Sequence, residues 1–213
     1  DRFELTGDVL HADVSVENFG GHKFPTAYPS RRAWLHVKVL DRENRTIFES
    51  GGLNPNGSIT GNDNDTDAGR FEPHYDEVSR PDQVQIYEDI MVGQDGVPTT
   101  GLLTAVRFIK DNRLLPAGFP KERVEQEIAP QGSAMMDDDF LGGGDRIRYA
   151  IPVANVQGPL RVDVELWFQP ISYRWAANLR PYMAAEPQRF TRYYDAMSSG
   201  SASMPQIRRA AGG

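Results

Sequence analysis

The chain has 213 residues, with 39% hydrophobic and 25% charged side chains, so it carries enough apolar material for a packed core and is not a disordered polymer. Its formal charge is -7, which argues against a nucleic-acid binder, since such a domain needs a basic face. It contains no cysteine, which excludes disulfides, thiolate nucleophiles, zinc-thiolate sites and covalent haem attachment through C-x-x-C-H.

Twenty Gly and 15 Pro point to a turn-rich, all-β protein. No apolar run is long enough to span a bilayer. The opening Asp1-Arg2-Phe3, with neither initiator Met nor signal peptide, reads as a processed product or a piece of a longer polypeptide.

Strand periodicity dominates in chain order. Leu10, Ala12, Val14 and Val16 alternate with polar residues, as do Leu35, Val37 and Val39. The segment Asp41-Arg42-Glu43-Asn44 then reads as a hairpin loop. Val84, Ile86 and Ile90 share one parity, Asp95-Gly96 is a turn dipeptide, and Val106 and Phe108 flank Arg107. Ile147, Tyr149 and Ile151 alternate with Arg146, Arg148 and Ala150, and Leu160, Val162, Val164, Leu166 and Phe168 alternate with Arg161, Asp163 and Glu165. Alternation with period two places one face in a core and the other in water, the mark of antiparallel sheets.

The expected fold is therefore an antiparallel β-sandwich, Ig-like or jelly-roll, with a short C-terminal helix. Leu35, Val37, Val39, Val162, Val164, Leu166 and Phe168 are the expected core. A single domain over 1–197 would carry long polar insertions at about 51–81 and 114–144. A short helix is expected over 120–128, and a second one begins with Pro187 at its first position, with Phe190, Tyr194 and Met197 on one face. Residues 198–213, small and polar, read as a flexible tail.

Four histidines carry the first candidate chemistry. His11 and His36 occupy outward strand positions and read as surface residues. His74 lies in an acidic loop, where it is either a metal ligand or solvated. His22 stands in a Gly- and Pro-bounded loop, Asn18 to Thr26, where its imidazole either ligates a metal or haem iron or fixes the loop by hydrogen bonds. Asp63, Asp65 and Asp67 form the densest acidic run and are candidate Ca²⁺ ligands, since hard oxygens two residues apart can converge on that ion. The EF-hand pattern fails there: no Gly stands at its sixth position, and Glu72 comes too early. Asp137-Asp138-Asp139 is a second acidic run, beside three glycines that lack the Lys-Ser/Thr of a phosphate loop. No Gly-x-Ser-x-Gly elbow and no His-Glu-x-x-His motif occurs.

Three stretches go beyond a generic β pattern. They are Gly21-His22-Lys23-Phe24-Pro25-Thr26-Ala27-Tyr28-Pro29-Ser30-Arg31-Arg32-Ala33-Trp34, Lys110-Asp111-Asn112-Arg113-Leu114-Leu115-Pro116 and Tyr173-Arg174-Trp175-Ala176-Ala177-Asn178-Leu179. They resemble blocks in the haem-free C-terminal β domain of bacterial multihaem c-type cytochromes, with Ala27 where that family usually has Gly. The resemblance implies a non-catalytic, haem-free domain of, or partner to, a multihaem cytochrome, which supports electron transfer by docking against haem modules or redox partners in the periplasm or at the cell surface. It implies no covalently bound cofactor and a haem contact in trans; the acidic charge already argues against a nucleic-acid partner. His22 would then be a distal haem ligand in trans or a holder of its loop. Arg31 and Arg32 would be contacts to haem propionates or members of an internal ion pair. The rival readings are a carbohydrate- or surface-binding module, with exposed aromatics as platforms, and a hydrolase with a carboxylate pair in the long loops.

Overall fold

A computed structural model of the chain describes residues 2–156 and 158–212. In chain order the strands are β1 (Arg2–Thr6), β2 (Val9–Glu17), β3 (Arg32–Leu40), β4 (Thr46–Ser50), β5 (Glu77–Val78), β6 (Ile86–Tyr87), β7 (Asp89–Val92), β8 (Pro98–Thr99), β9 (Arg107–Asp111), β10 (Gly144–Pro152), β11 (Leu160–Gln169) and β12 (Ser203–Gly212). The helices are α1 (Asp63–Thr66), α2 (Tyr173–Ala177) and α3 (Ala185–Met197).

Two sheets form an antiparallel sandwich. One has the order β1-β2-β10-β5, and the other has β12-β11-β3-β4 with β6 added on β3. Among the described residues, only the two-residue β5 runs parallel to its neighbour. The core between them is built by alternation: Leu10, Ala12, Val14 and Val16 from β2, Ile147, Tyr149 and Ile151 from β10, Leu35, Val37 and Val39 from β3, and Val162 and Val164 from β11. Leu166 and Phe168, on the same parity of β11, are only partly buried. The turn at 41–44 joins β3 to β4, with Asp41 Oδ1 accepting from the Glu43 and Arg45 amides at 2.9 Å each.

The first insertion packs on the outer face of β3. Trp34, Ile59, Val84 and Ile86 form a second apolar cluster there. Trp34 anchors it by donating from Nε1 to the Gly51 carbonyl at 2.8 Å. Gly51 has φ +80°, and a Cβ there would stand 2.4 Å from the Leu35 carbonyl oxygen, so only glycine admits this approach. A third, three-stranded antiparallel sheet, β8-β7-β9, completes the strands.

Three local expectations are corrected. Residues 120–128 form turns rather than a helix: Lys121 packs over the Phe140 ring and donates to the Asp137 carbonyl, and these tertiary contacts override the weak periodicity. Pro187 lies at the third position of α3, not the first, because the helix begins at Ala185. Within α3, Phe190 meets Tyr194 at 6.0 Å, and Met197 is exposed. The expected flexible tail instead turns at 198–200 and runs as β12, where pairing with β11 satisfies its backbone. Among the described residues, no helix is long and apolar enough to cross a membrane.

Candidate functional site

The loop that follows β2 is braced from outside by the second sequence block. Asn18 donates from Nδ2 to the carbonyls of His22 (2.7 Å) and Leu114 (2.9 Å), while its Oδ1 accepts from the Gly20 amide (2.9 Å). Phe24 and Leu114 exchange backbone hydrogen bonds at 2.9 and 2.8 Å. Lys23 pairs with Asp111 at 2.7 Å, and Arg113 grips the same carboxylate through Nε and Nη2. Arg31 donates to the Thr26 carbonyl at 2.8 Å. The loop is thus fixed by Asn18, Lys23 and Arg31. The His22 imidazole is exposed and has no hydrogen-bond partner among the described residues, and Phe19 beside it is 89% exposed. Ala27 adopts φ +54°, the left-handed region that favours the glycine expected there, at a cost of about 1 kcal/mol.

Arg32 faces the opposite way. Its guanidinium makes a two-pronged contact with Asp65, 2.9 Å on each prong, and donates from Nε to Gln169 Oε1 at 2.8 Å. It is 1% exposed, and its guanidinium is engaged in an internal ion pair. The same contact engages the central member of the candidate Ca²⁺ run. Asp65 spends both oxygens on Arg32 and one also on the Ile59 amide; Asp63 pairs with Arg70, and Asp67 caps the Gly69 amide. The three carboxylates sit on and just after the single turn of α1 and do not converge.

Sequence reasoning named His74 and the Asp137–Asp139 run separately but did not foresee that they meet in one buried polar cluster. The His74 ring is buried against Phe140, with centroids 4.9 Å apart, and is not solvated. Its Nδ1 faces the side-chain amides of Gln85 (2.8 Å) and Asn112 (3.0 Å). Both amides are oriented by backbone donors: Gln85 Oε1 accepts from Tyr75 N, and Asn112 Oδ1 from Glu88 N. Their NH₂ groups therefore point at the ring, and Nδ1 must be an acceptor. The proton sits on Nε2, which donates to Asp137 at 2.9 Å, with Asp145 at 3.8 Å.

His74, Asp137 and Asp145 lie close enough to hold a metal, as do Asp76, Asp137 and Asp139. A metal on Nε2, however, would force a proton onto Nδ1, against two amide donors. The same two amides leave this His–Asp pair no free nitrogen for base work. The signal that could have found the cluster was thin: two loop residues, His74 and Asp137, that meet across 63 positions.

The electrostatics have a measurable consequence. Burial pushes Asp145 up to about 6 and Asp89 up to about 7, the latter against the pull of Arg113. The folded state thus keeps protons that the unfolded chain releases near pH 4, and stability falls as pH rises through 6–7. Urea midpoints are expected to be higher at pH 5 than at pH 8, with Asp89 alone contributing about 2–3 kcal/mol of that difference. Asp89→Asn should flatten the slope; an unchanged slope would show that Asp89 ionises normally.

No family model matches the chain, and no curated protein matches it. Among solved structures it is similar to a penta-haem cytochrome c552 from Thermochromatium tepidum, with a TM-score of 0.55 at 13% identity over 99% of this chain. The chain spans 38% of that cytochrome's length.

Proposed function

We propose that this chain is a haem-free β domain that docks against a multihaem c-type cytochrome module and supports electron transfer in the periplasm or at the cell surface. The observation that carries the reading is the braced loop at 18–31, which holds an unpartnered, exposed imidazole and an exposed phenyl ring on a rigid base. A free imidazole suits an axial contact to the iron of a neighbouring haem, and an exposed ring suits an apolar haem edge. The likeness in fold to a penta-haem cytochrome supports the same partner class. In this role the domain would shield a haem from water and tune its potential, with the chemistry left to the haem.

The test is His22→Ala. Because the ring makes no hydrogen bond within the domain, the isolated variant is expected to keep its denaturation midpoint within about 0.5 kcal/mol. In the haem-bearing assembly the same change should alter the haem spectrum and potential. Normal spectra and potential in the variant assembly, or a tagged chain that captures no c-type haem, would overturn the reading.

A further inference from the structure

The first and third sequence blocks meet in a cleft away from the 18–22 loop. Its walls include Asp89 from β7, Thr99 and Thr100 around the end of β8, and Arg174, Trp175 and Asn178 from α2 and its C-cap. Asp89 is tied to the second block, since Arg113 approaches its Oδ2 at 3.2 Å. The side chain of Asp89 is 3% exposed, and its Oδ1 has no hydrogen-bond partner. Burial keeps a proton on this carboxyl up to about pH 7, and once it ionises the unpartnered buried oxygen is costly unless something donates to it. Arg174 uses Nε on the Asn64 carbonyl (2.8 Å), and Asn178 donates to Thr100 Oγ1 (2.9 Å). Tyr28, next in sequence to the lining residue Pro29, is 48% exposed, with its ring 5.4 Å from that of Trp175.

We propose that this cleft is a carbohydrate subsite: one sugar hydroxyl donates to Asp89, and the ring lies against Tyr28 and Trp175.

The charge pattern selects a neutral ligand. Around Asp89 stand Glu88 and Asp111 on one side of the balance and Lys23, Lys110 and Arg113 on the other, so the buried cluster is neutral once Asp89 ionises and positive while it holds its proton. Arg174 adds a positive charge at the cleft itself. A cation would therefore meet a positive wall, and an anion would meet the unpartnered oxygen of Asp89. A hydroxyl both donates and accepts: it satisfies Asp89 while its own oxygen faces the donors on Arg174 and Asn178. Size points the same way. The cleft is narrow and partly open, with about 30 Å³ of room for water-sized groups, enough for a hydroxyl but not for a whole sugar ring. The ring must then remain outside, where the two aromatic side chains offer it a flat apolar face. The site is separate from the proposed haem contact and does not depend on it.

The test is an NMR titration of the full chain with methyl α-glucopyranoside, methyl α-mannopyranoside and N-acetylglucosamine, with ethylammonium and acetate as charged comparators. The expected result is saturable shifts of the Trp175 indole and Asn178 amide resonances with at least one sugar, at millimolar affinity. Binding should weaken at least tenfold in Trp175→Ala and in Asp89→Ala; Trp175→Ala, at a half-buried rim position, gives the answer if Asp89→Ala fails to fold. The proposal is overturned if none of the three sugars gives saturable shifts at these residues, if ethylammonium or acetate binds more tightly than any sugar, or if Trp175→Ala binds as well as the parent chain.

Discussion

Arg32→Ala is expected to destabilise the domain by about 3–5 kcal/mol, a large share of the stability of any domain of this size. The guanidinium begins β3 and reaches across to the first insertion, where both its terminal nitrogens meet Asp65 at 2.9 Å. It also joins β11 through Gln169 and lies 5.8 Å from the Trp34 ring. Removing it leaves the Asp65 carboxylate, whose side chain is 1% exposed, without a counter-charge. The cost is that of an abandoned buried ion, which exceeds what the pair contributes over an apolar replacement. Arg32→Lys should recover little, because an ammonium cannot make the two-pronged contact. Combining Arg32→Ala with Asp65→Ala should cost less than the two single losses added, since the second change removes the stranded charge. Urea denaturation of the four variants measures this. A loss below about 1 kcal/mol in Arg32→Ala would show that water reaches the site and that the arginine is free for an outside partner.

The contrast between Arg31 and Arg32 shows where sequence reading stops. Both arginines fit a propionate contact equally well as letters. Strand parity cannot separate them either, because β3 is buried on both faces at its start. That double burial arises from the insertion packed on Trp34, which alternation within one strand cannot foresee. Where a strand has one wet face, reading was sound: His11, Asp13 and Ser15 of β2 and Arg146 and Arg148 of β10 point outward, while Leu10, Ala12, Val14, Val16, Ile147, Tyr149 and Ile151 form the core. Leu166 and Phe168 lie on the same parity of β11 as Val162 and Val164 but toward its far end, where they are only partly covered. The Gly and Pro residues around His22 marked a defined loop correctly as a loop. The agents that hold it are Asn18 and a block almost 90 residues away, so nothing local could say whether the imidazole was spent. The Asp63–Asp67 run shows the same limit: oxygen spacing suggested an ion, while the arginine 33 positions earlier that holds the central carboxylate was invisible in the local sequence.

His74→Ala is expected to cost about 3 kcal/mol and to change how the domain meets acid. The imidazole is 1% exposed and serves three side chains at once: it accepts from Gln85 and Asn112 and donates to Asp137. Each partner keeps a second contact, Gln85 with Asp145, Asn112 with the Ile86 carbonyl and Asp137 with the Asp139 and Phe140 amides. The loss is therefore smaller than three stranded groups would give, and the cavity beside Phe140 adds to it. The acid limb separates this role from simple packing. Although burial works the other way, the His74 hydrogen bond and two backbone amides hold Asp137 down at about 2. A depressed carboxylate adds stability above its unfolded value near 4, and that stability disappears as pH falls towards 2. Without the Nε2–H donor, Asp137 should titrate closer to the ordinary range, so less stability remains to be lost. The gap between parent and His74→Ala midpoints should then be widest above pH 4 and narrow as pH approaches 2. A gap constant across that range would assign the whole effect to the cavity and remove the hydrogen bond to Asp137 from the account.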